Sequence, residues 1–406
     1  MATSAPTPLP KGAVIGILGG GQLGRMLAQA ADRLGLKSHI YCPATQDENN
    51  RQLAPAAQVA NFATQAAYDD KAHLTEFAKS VHVVTYEFEN VPLDTIHFLQ
   101  AHVPVRPNAK ALQTAQDRLT EKEFMRRLNI TTADFVDITS WQTLEAACAQ
   151  FNGKLILKTR HFGYDGKGQW HIDIKGDKAI KEDKAIKEDK TIKGSKTIKG
   201  EKADKTNQHT LQNAFTALDG RAAIAESFVP FEREISVLGA RAFDGTIAVF
   251  DSVENRHEKA ILRQTFAPAH ISDSMAEAAQ EIATKLLTAL DYIGILAVEL
   301  FVCGDKLLVN EIAPRVHNSG HWTQDACHTS QFEQHIRAIA GWPLGDPTRH
   351  HDAIMRNLLG DEINHTQAIR DEPNAKIHIY GKHTVRPQRK MGHVNWLYPL
   401  GQRPHD

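Results

Sequence analysis

The sequence predicts a mixed α/β and α+β protein, with a parallel α/β unit at the N-terminus and a longer α+β region after it. First, the apolar run AVIGIL (13–18) enters a glycine-rich turn and then a helical pattern from about Gln22 to Gly35, which is typical of a buried parallel strand and its crossover helix. Second, strand-like and helical segments alternate over residues 12–110. Third, short strand-like runs joined by tight turns dominate from residue 154 onward, which favours antiparallel hairpins.

The expected elements follow in chain order. In the first unit the later strands are SHIYC, VHVVTYEF and a short PVR, and a charged helix, DRLTEKEFMRRL, comes at about 117–128. The strands of the second region are KLILKTR, GQWHI, AAIAESFV, REISVLGARAF, GTIAVFDSV, GILAVELFV and KLLVNEIA. Two helices are expected there, near 210–218 and 274–290, and a small strand-rich tail closes the chain.

Residues 179–202 are a tandem hexapeptide, AIKEDK, AIKEDK, TIKGSK, TIKGEK. One isoleucine in six residues cannot build a core at the period of a helix or a strand. We therefore expect 175–207 to be a disordered, solvated loop inserted in a hairpin; a basic tether for a partner is the alternative. Lengthening a loop this much costs only about 2 kcal/mol of closure entropy, so the fold can tolerate it.

The composition fits a globular enzyme. Apolar residues make up 42% of the 406-residue chain, charged residues 23%, and the formal net charge is -1, so neither nucleic acid nor an anionic membrane is an expected partner. The 4 cysteines are scattered without a metal-like spacing, which is typical of a reducing compartment. With neither a secretory h-region nor an apolar run of membrane-spanning length, we expect a cytoplasmic enzyme.

Gly19, Gly21 and Gly24 fit the pattern GxGxxG between a strand and a helix. That pattern first suggests a dinucleotide site, which also needs an acidic residue at the end of the second strand. The nearest acid here is Asp47, so NAD binding is disfavoured. The phosphate of another ligand, or a tight turn alone, stays open.

Two further segments could contact a nucleotide or its substrate. Glu87 and Glu89 close the strand VHVVTYEF, at the sheet edge where ligands of open α/β sheets collect; solvated strand-end acids are the alternative. Lys158 ends the strand KLILKTR and precedes the glycine-rich loop FGYDGKGQ. Such a loop can cover a triphosphate with its backbone amides while the lysine adds a point charge; a plain hairpin turn is the alternative.

Glu299 and Glu311 flank a predicted hairpin turn at Gly304 and Asp305. A three-residue loop centred on Asp305 would place the two carboxylates directly opposite each other on one face. Neighbouring carboxylates repel unless a cation lies between them, and oxygen ligands of this kind suit Mg²⁺ held together with ATP phosphates. Asn310 would face the other side unless a bulge turns it in; a chance pairing of strand acids is the alternative.

Anion-binding groups follow this hairpin. The segment PRVHNSGH (314–321) supplies an arginine, a histidine and amides, and Arg315 can hold a small planar anion through two hydrogen bonds. Farther on, Lys382, Arg386, Arg389 and Lys390 form a local basic cluster. This cluster could hold a phosphorylated substrate or could be a solvated basic loop.

Together these residues resemble the ATP-grasp superfamily and, within it, the 5-(carboxyamino)imidazole ribonucleotide synthetase family. The segments that carry the resemblance are GILGGGQLGRM, TYEFENVP, QDRLTEKEF, LKTRHFGYDGKGQ, VNEIAPRVHNSGHWT and KHTVRPQRKMGH. The resemblance covers almost the whole chain outside 175–207. It implies an ATP-grasp fold with a biotin-carboxylase-like N-terminal domain (12–110), an ATP-grasp domain (111–345, lid about 130–230) and a small C-terminal strand-rich domain (346–406), usually as a homodimer.

The resemblance also implies the roles of individual residues. Implied nucleotide contacts are Arg118, Lys158, Gly163, Tyr164, Asp165, Gly166, Lys167, Gly168, Gln169, Glu226, Ser227, Phe228, Val229, Glu234, His257, Asn310 and Glu311. The implied catalytic site for bicarbonate and the reacting amine contains Tyr164, Asp165, Arg315, His317 and Asn318. Implied substrate contacts are Gln22, Glu87, Lys382 and Arg389, and the implied Mg²⁺ ligands are Glu299 and Glu311.

The implied reaction is carboxylation of aminoimidazole ribonucleotide with bicarbonate and ATP through carboxyphosphate, with the product passed to a separate mutase. Another ATP-grasp ligase, such as a formate-using purine transformylase, is disfavoured by the 315–321 segment and the basic tail. A nucleotide-binding sensor without catalysis is disfavoured by the presence of Lys158, Glu299, Glu311 and Arg315 together. An oxidoreductase is disfavoured because this chain lacks the acidic residue that would bind the ribose of a dinucleotide.

Overall fold

The structure is a computed structural model that describes residues 7–43, 54–161, 168–174, 196–199 and 205–404. Within these ranges the strands form three sheets of four, five and nine strands. In the same ranges no helix is both long enough and apolar enough to cross a membrane.

The N-terminal unit is a four-stranded parallel sheet in the order β3-β2-β1-β4. Ile15 and Ile17 of the first strand are fully buried and share a core with Met26 and Leu27 of the first helix, so the apolar run and the amphipathic helix form the predicted crossover unit. Its elements are β1 (Val14–Leu18), α1 (Gln22–Arg33), β2 (Lys37–Cys42), β3 (Phe62–Gln65), α2 (Lys71–Ser80), β4 (Val83–Tyr86) and α3 (Leu93–Gln100). The predicted parallel sheet is confirmed, but the expected strand PVR contributes only a bridge between Val105 and Val84, and β3 was not expected.

Two helices lead into a five-stranded sheet in the order β5-β9-β6-β7-β8. Hydrogen bonds from the side chains of Asn108 and Asp117 cap the two helices at their first turns, as such residues do at exposed N–H groups. The elements are α4 (Ala109–Gln116), α5 (Arg118–Arg127), β5 (Phe135–Ile138), α6 (Trp141–Gln150), β6 (Lys154–Thr159), β7 (Gln169–Asp173), β8 (Lys196–Lys199), α7 (Lys205–Leu218) and β9 (Ala223–Ser227).

The repeat region departs from the sequence prediction where it is described. We expected no regular structure over 175–207, but Lys196–Lys199 pair in parallel with β7 and α7 begins at Lys205. An edge strand is held by backbone hydrogen bonds on one side, so it needs no apolar period. Residues 175–195 and 200–204 lie outside the described residues.

The nine-stranded sheet runs β15-β14-β10-β12-β13-β16-β18-β17, with β11 paired to β10. Its strands from residue 352 onward continue the sheet begun by the ATP-grasp region, because β16 pairs with β13. The elements are β10 (Arg233–Arg241), β11 (Ile247–Val249), β12 (Val253–Glu258), β13 (Ile261–Ala267), α8 (Asp273–Ala289), β14 (Gly294–Cys303), β15 (Lys306–Ala313), α9 (Thr323–Ala326), α10 (Gln331–Ile339), β16 (Asp352–Leu359), α11 (Gln367–Arg370), β17 (Ala375–Ile379) and β18 (Lys390–Tyr398).

Candidate active site

A buried lysine–glutamate pair lies on adjacent strands of the five-stranded sheet. Lys158 is the next-to-last residue of β6, and its Nζ donates to Oε2 of Glu226 on β9 at 2.8 Å. Burial opposes the charged form of Glu226, but the charges of Lys122 and Lys158 lower its pKa to about 2. Glu226 Oε1 is buried without a hydrogen-bond partner among the described residues. Lys158 and Glu226 therefore offer a cation and an unpaired acceptor oxygen, a combination that suits binding of a nucleotide.

Glu299 and Glu311 are paired across β14 and β15, as predicted. The turn is different: Cys303 pairs with Lys306, so the loop has two residues instead of three. A β-bulge then inserts one extra residue, Asn310, and restores the opposition of the two glutamates. Two bulge residues oppose a single residue of the partner strand, so Asn310 and Glu311 together lie opposite Glu299.

Each of these carboxylates contacts a basic side chain. Arg118 Nη1 lies 2.8 Å from Glu311 Oε2, and His317 Nε2 lies 3.0 Å from Glu299 Oε1. The Oδ1 atom of Asn310 is buried and has no hydrogen-bond partner among the described residues. In those residues no cluster of three or more His, Cys, Asp or Glu side chains could hold a metal. Two carboxylates and an unpaired amide oxygen still fit Mg²⁺, which takes one or two carboxylates together with phosphate oxygens and waters.

The predicted anion pocket follows β15 directly. Arg315 is paired through its Nε with Glu89, whose pKa is lowered to about 2 because the charge of Arg315 outweighs burial. His317 Nδ1 lies 2.8 Å from Ser319 Oγ. Both side-chain polar atoms of Asn318 are buried without a hydrogen-bond partner in the described part of the chain. Buried unpaired amides are costly, which favours a ligand between these residues.

The glycine-rich turn of the N-terminal sheet holds a carboxylate of the protein itself. The backbone amides of Gly21 and Gly24 donate to Glu87, the second at 2.6 Å. A Cβ at Gly19, where φ is +114°, would lie 2.4 Å from Glu87 Cγ, so this approach requires glycine. Burial raises the pKa of Glu87 despite the lowering effects of these amides and of Lys382 and Arg315. Gln22 is the first residue of α1 beside this turn.

The basic tail approaches the same edge. Lys382 contributes to the electrostatic field at Glu87, and its Nζ donates to the carbonyl of Lys390 at 2.7 Å. Arg389 Nη1 donates to the carbonyl of Thr384 at 2.7 Å. Lys382 and Arg315 therefore both act on Glu87, whereas Arg389 is held by the loop that precedes β18.

The other predicted nucleotide residues are divided between the two larger sheets. Glu234 on β10 and His257 on β12 are in contact, with His257 Nδ1 2.5 Å from Glu234 Oε2. Burial lowers the pKa of His257, but the contact with Glu234 raises it overall. Ser227 ends β9, Phe228 is 49% exposed and Val229 follows it. Gly168 and Gln169 begin the described part of the loop strand, whereas Gly163, Tyr164, Asp165, Gly166 and Lys167 lie outside the described residues.

Two functional candidates were missed from the sequence. Glu121 and Lys122 of α5 are 2% and 1% exposed, and Lys122 Nζ is 3.8 Å from Glu226 Oε2. Burial and the neighbouring Glu311 raise the pKa of Glu121 to about 8. Their positions three and four residues after Arg118 put all three on one face of a helix, a signal that was present in the sequence.

Comparisons with known proteins bear on this arrangement. Family models match a ribonucleotide synthetase preATP-grasp domain at 13–116, an ATP-grasp domain at 123–192 and 184–332, and a phosphoribosylaminoimidazole carboxylase C-terminal domain at 353–399. The chain is 46% identical to N5-carboxyaminoimidazole ribonucleotide synthase of Brucella melitensis over 97% of this chain and 98% of that protein. The chain belongs to the N5-carboxyaminoimidazole ribonucleotide synthase family. The predicted family, ATP-grasp fold and ligase class are thus confirmed.

Relatives with lower sequence identity support the same family. The chain is 36% identical to the synthase of Bacillus subtilis over 95% of this chain and 92% of that protein. It superposes on the ADP complex of the Staphylococcus aureus enzyme with a TM-score of 0.83, at 33% identity over 97% of this chain and 96% of that one. The Aspergillus clavatus enzyme, in complex with ADP and 5-aminoimidazole ribonucleotide, gives a TM-score of 0.80 at 28% identity over 96% of this chain and 94% of that one.

Proposed function

We propose that this protein carboxylates 5-aminoimidazole ribonucleotide with bicarbonate and ATP, giving 5-(carboxyamino)imidazole ribonucleotide for de novo purine synthesis. The observation that carries the proposal is the sequence of groups along β15 and the turn after it: the Glu299–Glu311 pair, then Arg315, His317 and Asn318. A carboxylate pair suits a metal nucleotide, and the arginine that follows suits a small anion.

In this mechanism an oxygen of bicarbonate attacks the γ-phosphorus of ATP, the bond to the bridging oxygen breaks, and ADP leaves. Lys158 supplies positive charge to the phosphates, and Arg118, Glu234 and His257 contact the nucleotide. Glu299 and Glu311 would hold Mg²⁺, which would neutralise charge on the transferring phosphoryl group.

The second half of the reaction uses the anion pocket. Carboxyphosphate breaks down to CO₂ and phosphate, and the substrate amine attacks the carbon of CO₂ and loses a proton to that phosphate. Arg315, His317 and Asn318, with Tyr164 and Asp165 of the glycine-rich loop, bind bicarbonate and orient the amine. The site must exclude water, which would otherwise hydrolyse carboxyphosphate.

The substrate is bound from the N-terminal sheet and the tail. Gln22 and Glu87 contact the ribonucleotide, while Lys382 and Arg389 hold its phosphate. We further propose that the enzyme works in the cytoplasm as a homodimer and releases its product to a separate mutase. The domains implied by the sequence, 12–110, 111–345 and 346–406, serve as substrate-binding, ATP-grasp and C-terminal units in this proposal.

The test is ADP release measured with each substrate omitted in turn. We expect full turnover only with 5-aminoimidazole ribonucleotide, bicarbonate and Mg·ATP together, and incorporation of labelled bicarbonate into the product. Replacement of bicarbonate by formate should give no amine-dependent ADP. Formate-dependent turnover would instead favour a transformylase, and the absence of any amine-dependent ADP would contradict the proposed reaction.

A further inference from the structure

One face of α5 contacts four consecutive residues of the proposed metal strand. Arg118, Glu121 and Lys122 lie at positions i, i+3 and i+4 and therefore share a face. The Ile312 amide donates to Glu121 Oε1 at 2.7 Å. Lys122 Nζ donates to the carbonyls of the two residues before Glu311, at 2.7 and 3.3 Å.

These contacts occupy an otherwise open sheet edge. Among the described residues, β15 is the outermost strand of the nine-stranded sheet on this side, and only a single bridge, from Thr132 to Val309, extends its outer edge. Most backbone groups on that side therefore have no neighbouring strand within the described ranges. The Val309 amide donates to the carbonyl of Thr131 at 2.8 Å, and α5 supplies the partners for the next residues. The helix is fixed against the same strand by apolar packing of Phe124 and Met125 with Ile312 in one core.

The bulge makes this edge important for the site. The outer part of the hairpin pairs Leu300 with Val309 and Cys303 with Lys306. If that register continued without the extra residue, Glu299 would face Asn310, and Glu311 would point to the opposite face of the sheet. The two carboxylates can share a ligand only while the bulge stays at Asn310.

We propose that Glu121 is a positioning residue for the metal site: its Oε1 holds the Ile312 amide and so fixes the bulge that keeps Glu311 opposite Glu299. The inference rests on the proposed Mg²⁺ site. Glu121 is 2% exposed, so water cannot easily replace this acceptor when it is lost. Partners that orient metal ligands from behind typically contribute about 10- to 100-fold to metal affinity.

Two conservative variants separate the reach of the side chain from its carboxyl group. Glu121→Gln keeps an oxygen acceptor at the same reach and removes the titratable group, whereas Glu121→Asp keeps a carboxyl group and shortens the reach. The measurement is the Mn²⁺ affinity of the full chain in the presence of ADP, obtained from the electron paramagnetic resonance signal of free Mn²⁺. We expect the Gln variant to stay within about threefold of wild type and the Asp variant to bind Mn²⁺ about 10- to 100-fold more weakly. In turnover, the Asp variant should need correspondingly more Mg²⁺ and approach wild-type kcat at saturation.

Two reference variants complete the experiment. Asn357→Ser removes another buried side chain, which donates to the Leu262 carbonyl in the same sheet; it should lower stability without changing Mn²⁺ affinity. Glu311→Gln should abolish high-affinity Mn²⁺ binding. If Glu311→Gln binds Mn²⁺ as wild type does, the metal site itself is wrong. If only Glu311→Gln loses binding and Glu121→Asp does not, the positioning role is wrong. A tenfold loss in Glu121→Gln overturns it as well, even if the Asp variant does not fold.

Discussion

At the residue scale, the charged side chains of the candidate active site form ion pairs. Lys158 faces Glu226, Arg315 faces Glu89 and Arg118 faces Glu311. A buried charge without a partner is costly. An anionic ligand can therefore bind one of these cations only if another positive charge neutralises the carboxylate that loses its partner. A metal between Glu299 and Glu311 would provide this compensation, because it would free Arg118 and His317 to face phosphate and bicarbonate.

The metal assignment is tested by removing one carboxylate. Glu311→Gln should reduce turnover at least a hundredfold, about 3 kcal/mol of transition-state stabilisation, while the melting temperature stays near that of wild type. The measurement is steady-state ADP release over a series of Mg²⁺ concentrations. Asp305→Asn, in the exposed turn of the same hairpin, is the matched control and should be silent. Near-normal turnover of Glu311→Gln at saturating Mg²⁺ would rule the assignment out.

The phosphate assignment is tested at Arg389. Arg389→Ala should weaken binding of 5-aminoimidazole ribonucleotide by about 1.5–3 kcal/mol and leave ATP affinity nearly unchanged. The nucleoside without its phosphate should bind poorly to wild type and lose little more in the variant. Calorimetry of the nucleotide, the nucleoside and ATP with both proteins gives the six dissociation constants, and Arg370→Ala, which replaces an exposed arginine on α11, controls for net charge. Equal weakening of nucleoside and nucleotide would show that Arg389 does not contact the phosphate, and weakening of ATP alone would move the tail to the nucleotide site.

At the element scale, the β14–β15 hairpin shows what its sequence specifies. The even separation of Glu299 and Glu311 predicts one face, and the pairing is confirmed. The route to that pairing was wrong, because the turn has two residues and a bulge supplies the missing one. The bulge and the residue after Glu311 contact Lys122 and Glu121 of α5, respectively, and hairpin spacing alone does not contain these partners.

The other elements also divide into those that local sequence predicts and those that depend on pairing with distant residues. In the parallel N-terminal sheet, β1 and β4 were predictable because each is a local apolar run followed by a helix, whereas the exposed edge strand β3, FATQ, has no apolar run and was not predicted. Continuation of the nine-stranded sheet through β13 and β16 was not, because that pairing joins residues about ninety positions apart, such as Phe266 and Ile354. The strand at Lys196–Lys199 was missed because its pairing uses backbone groups, which no side-chain period encodes.

The repeat region is tested by excision. Removing residues 178–204 and joining the ends with a short glycine-containing turn should leave turnover and melting temperature close to wild type. The four-residue strand lost in this way lies at the edge of the five-stranded sheet, and shortening the connection recovers only about 2 kcal/mol of closure entropy. Thermal melts and ADP release check the result, with a variant that scrambles the repeats at constant length as control. A large fall in melting temperature in both variants would show that the repeats are structural.

At the scale of the whole molecule, the proposed nucleotide site is divided between two sheets. Lys158 and Glu226 belong to the five-stranded sheet, and Glu299 and Glu311 belong to the nine-stranded sheet. Helix α5 lies between them: its N-cap Asp117 is paired with Arg160, two residues after Lys158, and its next turn contacts β15. A metal nucleotide held by both sets of residues would therefore tie the two sheets together.

This arrangement predicts that nucleotide and metal stabilise both sheets jointly. A non-hydrolysable ATP analogue with Mg²⁺, at a hundred times its dissociation constant, should raise the free energy of unfolding by about 2.7 kcal/mol. Hydrogen exchange should slow in β6 and β9 and also in β14 and β15, because the ligand would link the two edges. With the metal chelated, or in Glu311→Gln, protection should remain in β6 and β9 and disappear from β14 and β15. AMP, which has no β- and γ-phosphates, is the control ligand and should leave β14 and β15 unchanged. If Mg²⁺ and the analogue together protect only the five-stranded sheet, then Glu299 and Glu311 do not bind the phosphate-bound metal, and the cleft does not join the two sheets through the nucleotide.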